Sequence, residues 1–261
     1  MDKILLSVDI CIGAGGVAAL ERCCLGIPSI VFVYANNQSR GVNALAEAGA
    51  ILYAGDYRKN DWQRVFYQSL NRIADFHIRK SLSAKASALC DGLGCERVSS
   101  YIEAKIFEPD LKPLDDNDQA IILAWRNDPN VRSLSINQDF IEIATHNEWF
   151  QSVLKDPNHF TLMCWLGTKR VGLVRYQLKG NECTVSIMVN PLYKKLGFGS
   201  FMLKNSIIPL KKAFPLSEWV DARIHAANLA SLKLFKKAGY QDFWTSEDWV
   251  TKRFNLMDIK S

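Results

Sequence analysis

One stretch constrains this chain more than any other. The apolar run Val185-Ser186-Ile187-Met188-Val189 leads through Asn190-Pro191-Leu192-Tyr193 into the loop Lys194-Lys195-Leu196-Gly197-Phe198-Gly199-Ser200, and an apolar helical pattern then reaches Lys211. A strand, a glycine loop and a helix in that order bring several backbone N–H groups to one point at a helix N-terminus. The helix dipole there favours an anion. Gly197 and Gly199 let the backbone come close to a ligand, and Lys194 and Lys195 add positive charge. A pyrophosphate suits such a site; the competing reading is a bland turn with solvated lysines.

The neighbouring patterns define two units with a boundary near residues 95–105. In the first, the apolar run 4–12 ends in Gly13-Ala14-Gly15-Gly16, a helical pattern follows to Gly26, and a second apolar run at 29–34 comes after Pro28. That is the grammar of a parallel α/β sheet. Helices are predicted at 38–48, 61–78 and 96–101, with a short strand at 51–53. In the second unit a strand is expected at 104–107 and helices at 117–125 and 145–154, the latter opened by the capping box Thr145-His146-Asn147-Glu148. Residues 160–166, 171–178 and 183–189 read as consecutive antiparallel strands. A helix at 199–211, a strand at 219–224, a helix at 229–237 and a strand at 248–254 complete the unit.

A second motif lies downstream of the loop. Asn228-Leu229-Ala230-Ser231 opens a predicted helix that ends in Phe235-Lys236-Lys237-Ala238-Gly239-Tyr240. Trp125-Arg126-Asn127-Asp128, Val131-Arg132, His146 and Trp149-Phe150 form a third. Together with the glycine loop they resemble the GNAT acetyltransferase superfamily over residues 103–258, in particular its branch acting on amino-sugar nucleotides or protein N-termini. The resemblance implies a mixed, largely antiparallel sheet flanked by helices, with acetyl-CoA as donor. Lys194, Lys195, Gly197, Phe198, Gly199 and Ser200 would then meet the coenzyme at the loop, and Asn228, Ser231 and Phe235 along its arm. The strand 185–189 would splay from the strand 219–224, leaving a free N–H of Met188 or Val189 to polarise the thioester carbonyl. Trp125, Arg126 and His146 would face the acceptor.

The sequence departs from that pattern twice. Phe235 stands where many relatives place the tyrosine that protonates the departing thiolate, and Arg223 where several sugar-nucleotide relatives carry a carboxylate. Ser186 and His225, with Tyr193 and Glu182 behind them, are the remaining candidates for proton transfer. Blander readings stand beside these: His146 as a packed helix-start residue, His225 as a surface histidine, and Trp125, Trp149 and Phe150 as core.

In the first unit Asp9 to Gly16, Glu21 to Pro28 and Asn37-Gln38 resemble the nucleotide-binding half of GT-B glycosyltransferase-like proteins. The nearest likeness is to the UDP-sugar hydrolases of pseudaminic-acid biosynthesis, whose end resembles residues 91–97. This implies a partial GT-B-like, Rossmann-like segment at 1–100 in which Gly15 and Gly16 hold the UDP diphosphate and Glu21 the ribose. A tight turn is the alternative. Only the last part of such a hydrolase is matched, so the segment is either a remnant or one half of a split pair whose partner chain supplies the rest, and an exposed half-sheet at 1–100 makes self-association an expectation. A hydrolase-like segment joined to an acetyltransferase points to a UDP-linked deoxy amino sugar as acceptor, on the route to a pseudaminic-like nonulosonic acid. The alternatives are a protein N-terminus or small amine, and an inactive module that binds acetyl-CoA and a UDP-sugar.

Composition narrows the rest. A net charge of +5 spread along 261 residues suits an anionic ligand and demands no nucleic acid. The seven cysteines show neither paired metal-site spacing nor a secreted scaffold's density, so no metal is expected and reduced thiols are. No apolar run approaches the roughly 20 residues a membrane span needs, and a cytosolic protein is expected.

Overall fold

In the computed structural model, which describes residues 2–259, the chain divides into two units, Met1–Glu96 and Arg97–Ser261. The first contains α1 (Asp2–Leu5), β1 (Cys11–Ala14), α2 (Val17–Cys24), β2 (Ser29–Val33), α3 (Asn36–Glu47), β3 (Leu52–Asp56), α4 (Trp62–Ile73) and α5 (Phe76–Leu89). The three strands pair in parallel in the order β1-β2-β3. Every residue of β2 is buried, which is why it reads as an unbroken apolar run rather than an alternating one.

Two expectations for this unit are corrected. The strand expected at 4–12 forms only at Cys11–Ala14, because β2 offers partners only from Pro28 onward; the Cys11 N–H donates to the Pro28 carbonyl at 3.0 Å. The single helix expected at 61–78 is two. Asp75 accepts the His77 N–H at 2.7 Å, capping a new helix in place of the old one.

The second unit begins within α6 (Gly94–Ile106) and continues through β4 (Pro109–Pro113), α7 (Gln119–Asn127), α8 (Pro129–Arg132), α9 (Ile143–Lys155), β5 (His159–Leu166), β6 (Lys169–Lys179) and β7 (Glu182–Val189). After these come α10 (Phe198–Ala213), β8 (Trp219–His225), α11 (Leu229–Lys237), β9 (Gln241–Thr245) and β10 (Trp249–Asn255). Among the described residues the strands form one sheet in the order β4-β5-β6-β7-β8-β10-β9, antiparallel throughout except for the parallel pair β7–β8. This is the mixed, largely antiparallel sheet flanked by helices.

Period-two alternation sorts the side chains onto two faces. On one, Cys164, Val174 and Tyr176 pack with Met202, Leu203 and Leu210 of α10. On the other, Met163 and Leu173 pack with Ile122 and Trp125 of α7 and Phe150 of α9. Trp125 is therefore core, the blander of its two readings.

Residues 104–107 are not a strand. They end α6, where the Phe107 N–H donates to the Glu103 carbonyl at 2.9 Å, and the strand starts at Pro109. Nor does Thr145 cap a helix: α9 starts at Ile143 with Glu142 at its N-cap.

Candidate active site

The site begins where two strands part. β7 and β8 pair only at Cys183 with Val220 and Thr184 with Asp221, so from Val185 onward β7 has an open edge. Its other edge is closed by β6, with Gly172 opposite Val189 and Leu173 opposite Met188. The Asn190 N–H donates to the Val171 carbonyl at 2.9 Å. In an antiparallel ladder hydrogen-bonded pairs alternate, so Met188/Leu173 and Ser186/Arg175 are the next two. Ile187 and Val189 therefore turn their N–H and C=O groups to the open edge. The expectation that named Met188 or Val189 is corrected to Val189; the Met188 amide is committed to β6, and its side chain packs against the Leu173 cluster.

Gly172, which the sequence reading passed over, makes this geometry possible. A Cβ there would stand 2.7 Å from the Met188 carbonyl oxygen and 2.8 Å from Met202 Cε, so only glycine lets β7 and α10 close on β6. The available signal was a glycine inside an apolar strand pattern, which marks close backbone approach.

Past β7 the Asn190 side chain accepts the Leu192 N–H at 3.0 Å and starts a tight turn. The backbone then visits the left-handed region at Lys195 (φ 64°) and Gly197 (φ 95°). Gly197 is the N-cap of α10 and has no side chain to offer, and the Phe201 N–H is the first to bond back, to the Gly197 carbonyl at 3.0 Å. The N–H groups of Phe198, Gly199 and Ser200 are thus those a helix start leaves for a ligand. The two glycines serve different ends. Gly197 is there for its φ, whereas a Cβ on Gly199 would lie 2.9 Å from Leu234 Cδ2, so Gly199 lets α10 pack closely on α11.

A cavity of about 880 Å³ joins these parts. Its lining includes Lys194, Lys195 and Gly197 to Ser200 of the loop, Ser186 to Val189 of β7, and Asn228 and Ser231 at the start of α11. Arg126, His146, Trp149 and Arg175 line it as well. Asn228 also accepts the Ser231 N–H at 3.1 Å, capping α11 while facing the cavity. Among the described lining residues there is no aspartate or glutamate.

The proton-transfer candidates separate clearly. Ser186 lines the cavity; His225 and Glu182 do not. His225 Nδ1 accepts the Ala227 N–H at 3.1 Å and its ring lies edge-on to Trp249, beside Arg223, whose guanidinium sits 4.9 Å over the same tryptophan. Phe235 is corrected too: it is 3% exposed, packs edge-on to Tyr240 at 5.0 Å, and belongs to the core rather than the cavity lining.

Tyr193 is among the lining residues, but its hydroxyl donates to Glu103 Oε2 at 2.7 Å, and Glu103 also pairs with Lys169. Burial, and then this bond to a carboxylate, push the phenol's pKa up. Tyr193 is thus a strut between α6 and the loop. Tyr193→Phe should lower stability by about 1.5–3 kcal/mol, as loss of a hydrogen bond to a charged group does, and leave turnover by the folded enzyme unchanged. Denaturant titration and steady-state kinetics check both.

His146 is 2% exposed and packs on Trp149 and Phe150. Its Nε2 lies 2.9 Å from the Gln119 carbonyl, which can only accept, so Nε2 carries the proton. Burial holds its pKa below the ordinary 6.5. As pH falls through 6.5 the unfolded chain takes up a proton that the folded one refuses, so stability drops on acidification from there until the lower folded pKa is passed. His146→Gln, which keeps a donor for Gln119, should remove that component from the pH dependence of the melting temperature.

In the first unit Gly16 (φ 98°) is the N-cap of α2, and Glu21 is exposed on that helix. The Gly15 N–H donates to the Phe32 carbonyl at 2.9 Å, and a Cβ there would stand 2.3 Å from Val42 Cγ2. Gly15 is therefore a packing glycine with its amide committed, which corrects its expected place as a phosphate donor.

A parallel strand pair thus parts inside an otherwise antiparallel sheet, beside a left-handed glycine loop that opens a helix. The acetyltransferase (GNAT) domain family matches residues 110–241, and the chain belongs to that family. Among curated relatives, the Bacillus subtilis (strain 168) spore coat polysaccharide biosynthesis protein SpsG is 27% identical over 103 residues, 40% of this chain and 30% of that protein. The uncharacterized N-acetyltransferase YfmK of the same strain is 30% identical over 94 residues, 36% of this chain and 62% of that protein. The match thus spans less than two thirds of either relative's length. Among solved structures, spermidine N-acetyltransferase from Vibrio cholerae, in complex with CoA and spermine, aligns with TM-score 0.51 at 13% identity, covering 57% of this chain and 96% of that one. An N-acetyltransferase from Staphylococcus aureus Mu50 aligns with TM-score 0.50 at 17% identity, covering 57% and 99%. At these identities the likeness is one of fold. No helix among the described residues is long and apolar enough to cross a membrane.

Proposed function

We propose that this protein transfers the acetyl group of acetyl-CoA to the amine of a UDP-linked deoxy amino sugar, on a route to a nonulosonic acid. The observation that carries the reading is the charge of the cavity: Arg126, Arg175, Lys194 and Lys195 line it, and no carboxylate among the described residues does. A polycationic acceptor would find no counter-charge there, while an amine attached to a nucleotide suits it. The similarity to SpsG, a polysaccharide biosynthesis protein, supports a sugar acceptor.

The loop Lys194 to Ser200 and the first N–H groups of α10 take the coenzyme's pyrophosphate, and the open edge at Ile187 and Val189 pairs with its amide-bearing arm, flanked by Asn228 and Ser231. The amine nitrogen attacks the thioester carbonyl carbon; a C–N bond forms, the C–S bond breaks, the proton lost from nitrogen passes to the departing sulfur, and the products are an acetamide and the CoA thiol. The Val189 N–H meets the charge that gathers on the carbonyl oxygen. No carboxylate is needed as base, because the positive field of Arg126 and Arg175 disfavours the ammonium form and delivers a neutral amine. In the first unit, Gly16 and Glu21 are the residues we assign to a UDP-binding segment.

The test is release of CoA thiol with three acceptors: a UDP-linked amino deoxy sugar, spermidine and a peptide amine. Turnover confined to the sugar nucleotide supports the reading. Turnover confined to spermidine or the peptide, or acetyl-CoA binding with no turnover of any amine, overturns it.

A further inference from the structure

Two partly buried arginines of the second unit have an acidic partner, Arg170 with Asp118 and Arg253 with Asp221. In the first unit Arg22 and Arg79 are instead held by backbone carbonyls. Arg126, at the end of α7, and Arg175, in the middle of β6, have no such partner: neither makes a hydrogen bond or ion pair with a described residue, and both line the cavity. Arg175 is held with its guanidinium 5.3 Å over the Trp149 ring. Burial pulls down the pKa of both, and the nearness of Arg126 pulls that of Arg175 further. His146, in the same cavity wall, feels the charge of Arg126 in the same sense.

Two half-buried like charges without a counter-ion are a cost to the folded chain. A fold keeps such an arrangement when a ligand brings the missing charge. The pair presents about ten N–H donors in two planar forks, the geometry that binds phosphate oxygens in bidentate fashion. Lys194 and Lys195 also line the cavity but are exposed and belong to the glycine loop, the segment proposed above for the coenzyme's pyrophosphate.

We infer that Arg126 and Arg175 form a two-arginine clamp for the phosphate groups of the acceptor, and that this clamp selects nucleotide-linked amines over uncharged or cationic ones. The inference rests on the acceptor class proposed above and adds the residues that would recognise it.

The experiment uses the full chain and the variants Arg126→Gln, Arg175→Gln and the pair combined. Each single substitution should raise KM for the UDP-linked amine by about 10- to 100-fold, the loss of charge-assisted hydrogen bonds, while KM for acetyl-CoA stays unchanged. The acid limb of the kcat profile should move to higher pH, because less positive charge opposes the acceptor's ammonium form. The melting temperature should rise, since the variants relieve repulsion; a purely structural arginine would lower it. By calorimetry the double variant should bind one equivalent of UDP fewer than the parent. If the sugar nucleotide is turned over with unchanged KM in all three variants, the clamp is wrong and the acceptor class stands. If no amine is turned over yet the variants lose one equivalent of UDP, the clamp stands and the acceptor class is wrong. Unaltered UDP stoichiometry in the double variant overturns the clamp.

Discussion

Val189→Pro is expected to lower kcat by about 100-fold or more, the usual effect of removing one backbone donor from an oxyanion site, without abolishing acetyl-CoA binding. The register explains why the substitution is informative. Val189 lies opposite Gly172 in a pair that exchanges no ladder hydrogen bonds, and its N–H faces the gap left where β8 departs. Proline is tolerated in a strand where the N–H it lacks is not part of the ladder. The control is one residue away. Met188→Pro removes an N–H that is committed to β6, so it should cost stability first and activity only as a consequence. Turnover by Val189→Pro at the wild-type rate would show that this N–H does not meet the developing charge.

Gly172→Ala is expected to destabilise the second unit by about 1–3 kcal/mol, the cost of overpacking a filled interior, and to weaken acetyl-CoA binding with it. The added Cβ would stand 2.7 Å from the Met188 carbonyl oxygen, a backbone atom that no rotamer change can remove, and 2.8 Å from Met202 Cε. The strain is therefore relieved by moving the end of β7, which carries Val189. Gly199→Ala provides the contrast. Its Cβ would meet the far end of the Leu234 side chain at 2.9 Å, which can turn away, and alanine in a helix is worth about 0.5–1 kcal/mol over glycine. Thermal denaturation and calorimetric titration of both variants with CoA check the pair; equal behaviour of the two would contradict the placement of Gly172.

The parts of the fold that were legible in the sequence are those with a sustained period. β7 alternates from Glu182 to Ser186, β5 and β6 carry sustained apolar runs, α10 and α11 carry an apolar face, and Gly197 marks the helix start by itself. β9 was missed because all five of its residues are exposed, leaving no alternation to read. Residues 104–107 were expected as a strand because four residues are too few to separate the two periods; the end of α6 is tied instead by Glu103 to Tyr193 and Lys169, contacts distant in sequence. The site was legible where local chemistry defines it, at the glycine loop and at Asn228. It was not where the cause is non-local. Gly172 matters through the Met188 carbonyl, Gly15 through Val42 and Phe32, and Arg175 through the acidic partner it lacks. Phe235 and Trp125 lie on motif positions, yet both are core.

A crystal structure of the protein grown with acetyl-CoA tests the role of the Val189 N–H most directly. The thioester carbonyl oxygen is expected about 3 Å from the Val189 nitrogen, within hydrogen-bond distance, and the pyrophosphate on the N–H groups of Phe198, Gly199 and Ser200. A coenzyme seated outside the gap between β7 and β8, or a thioester oxygen turned away from Val189, would contradict that role.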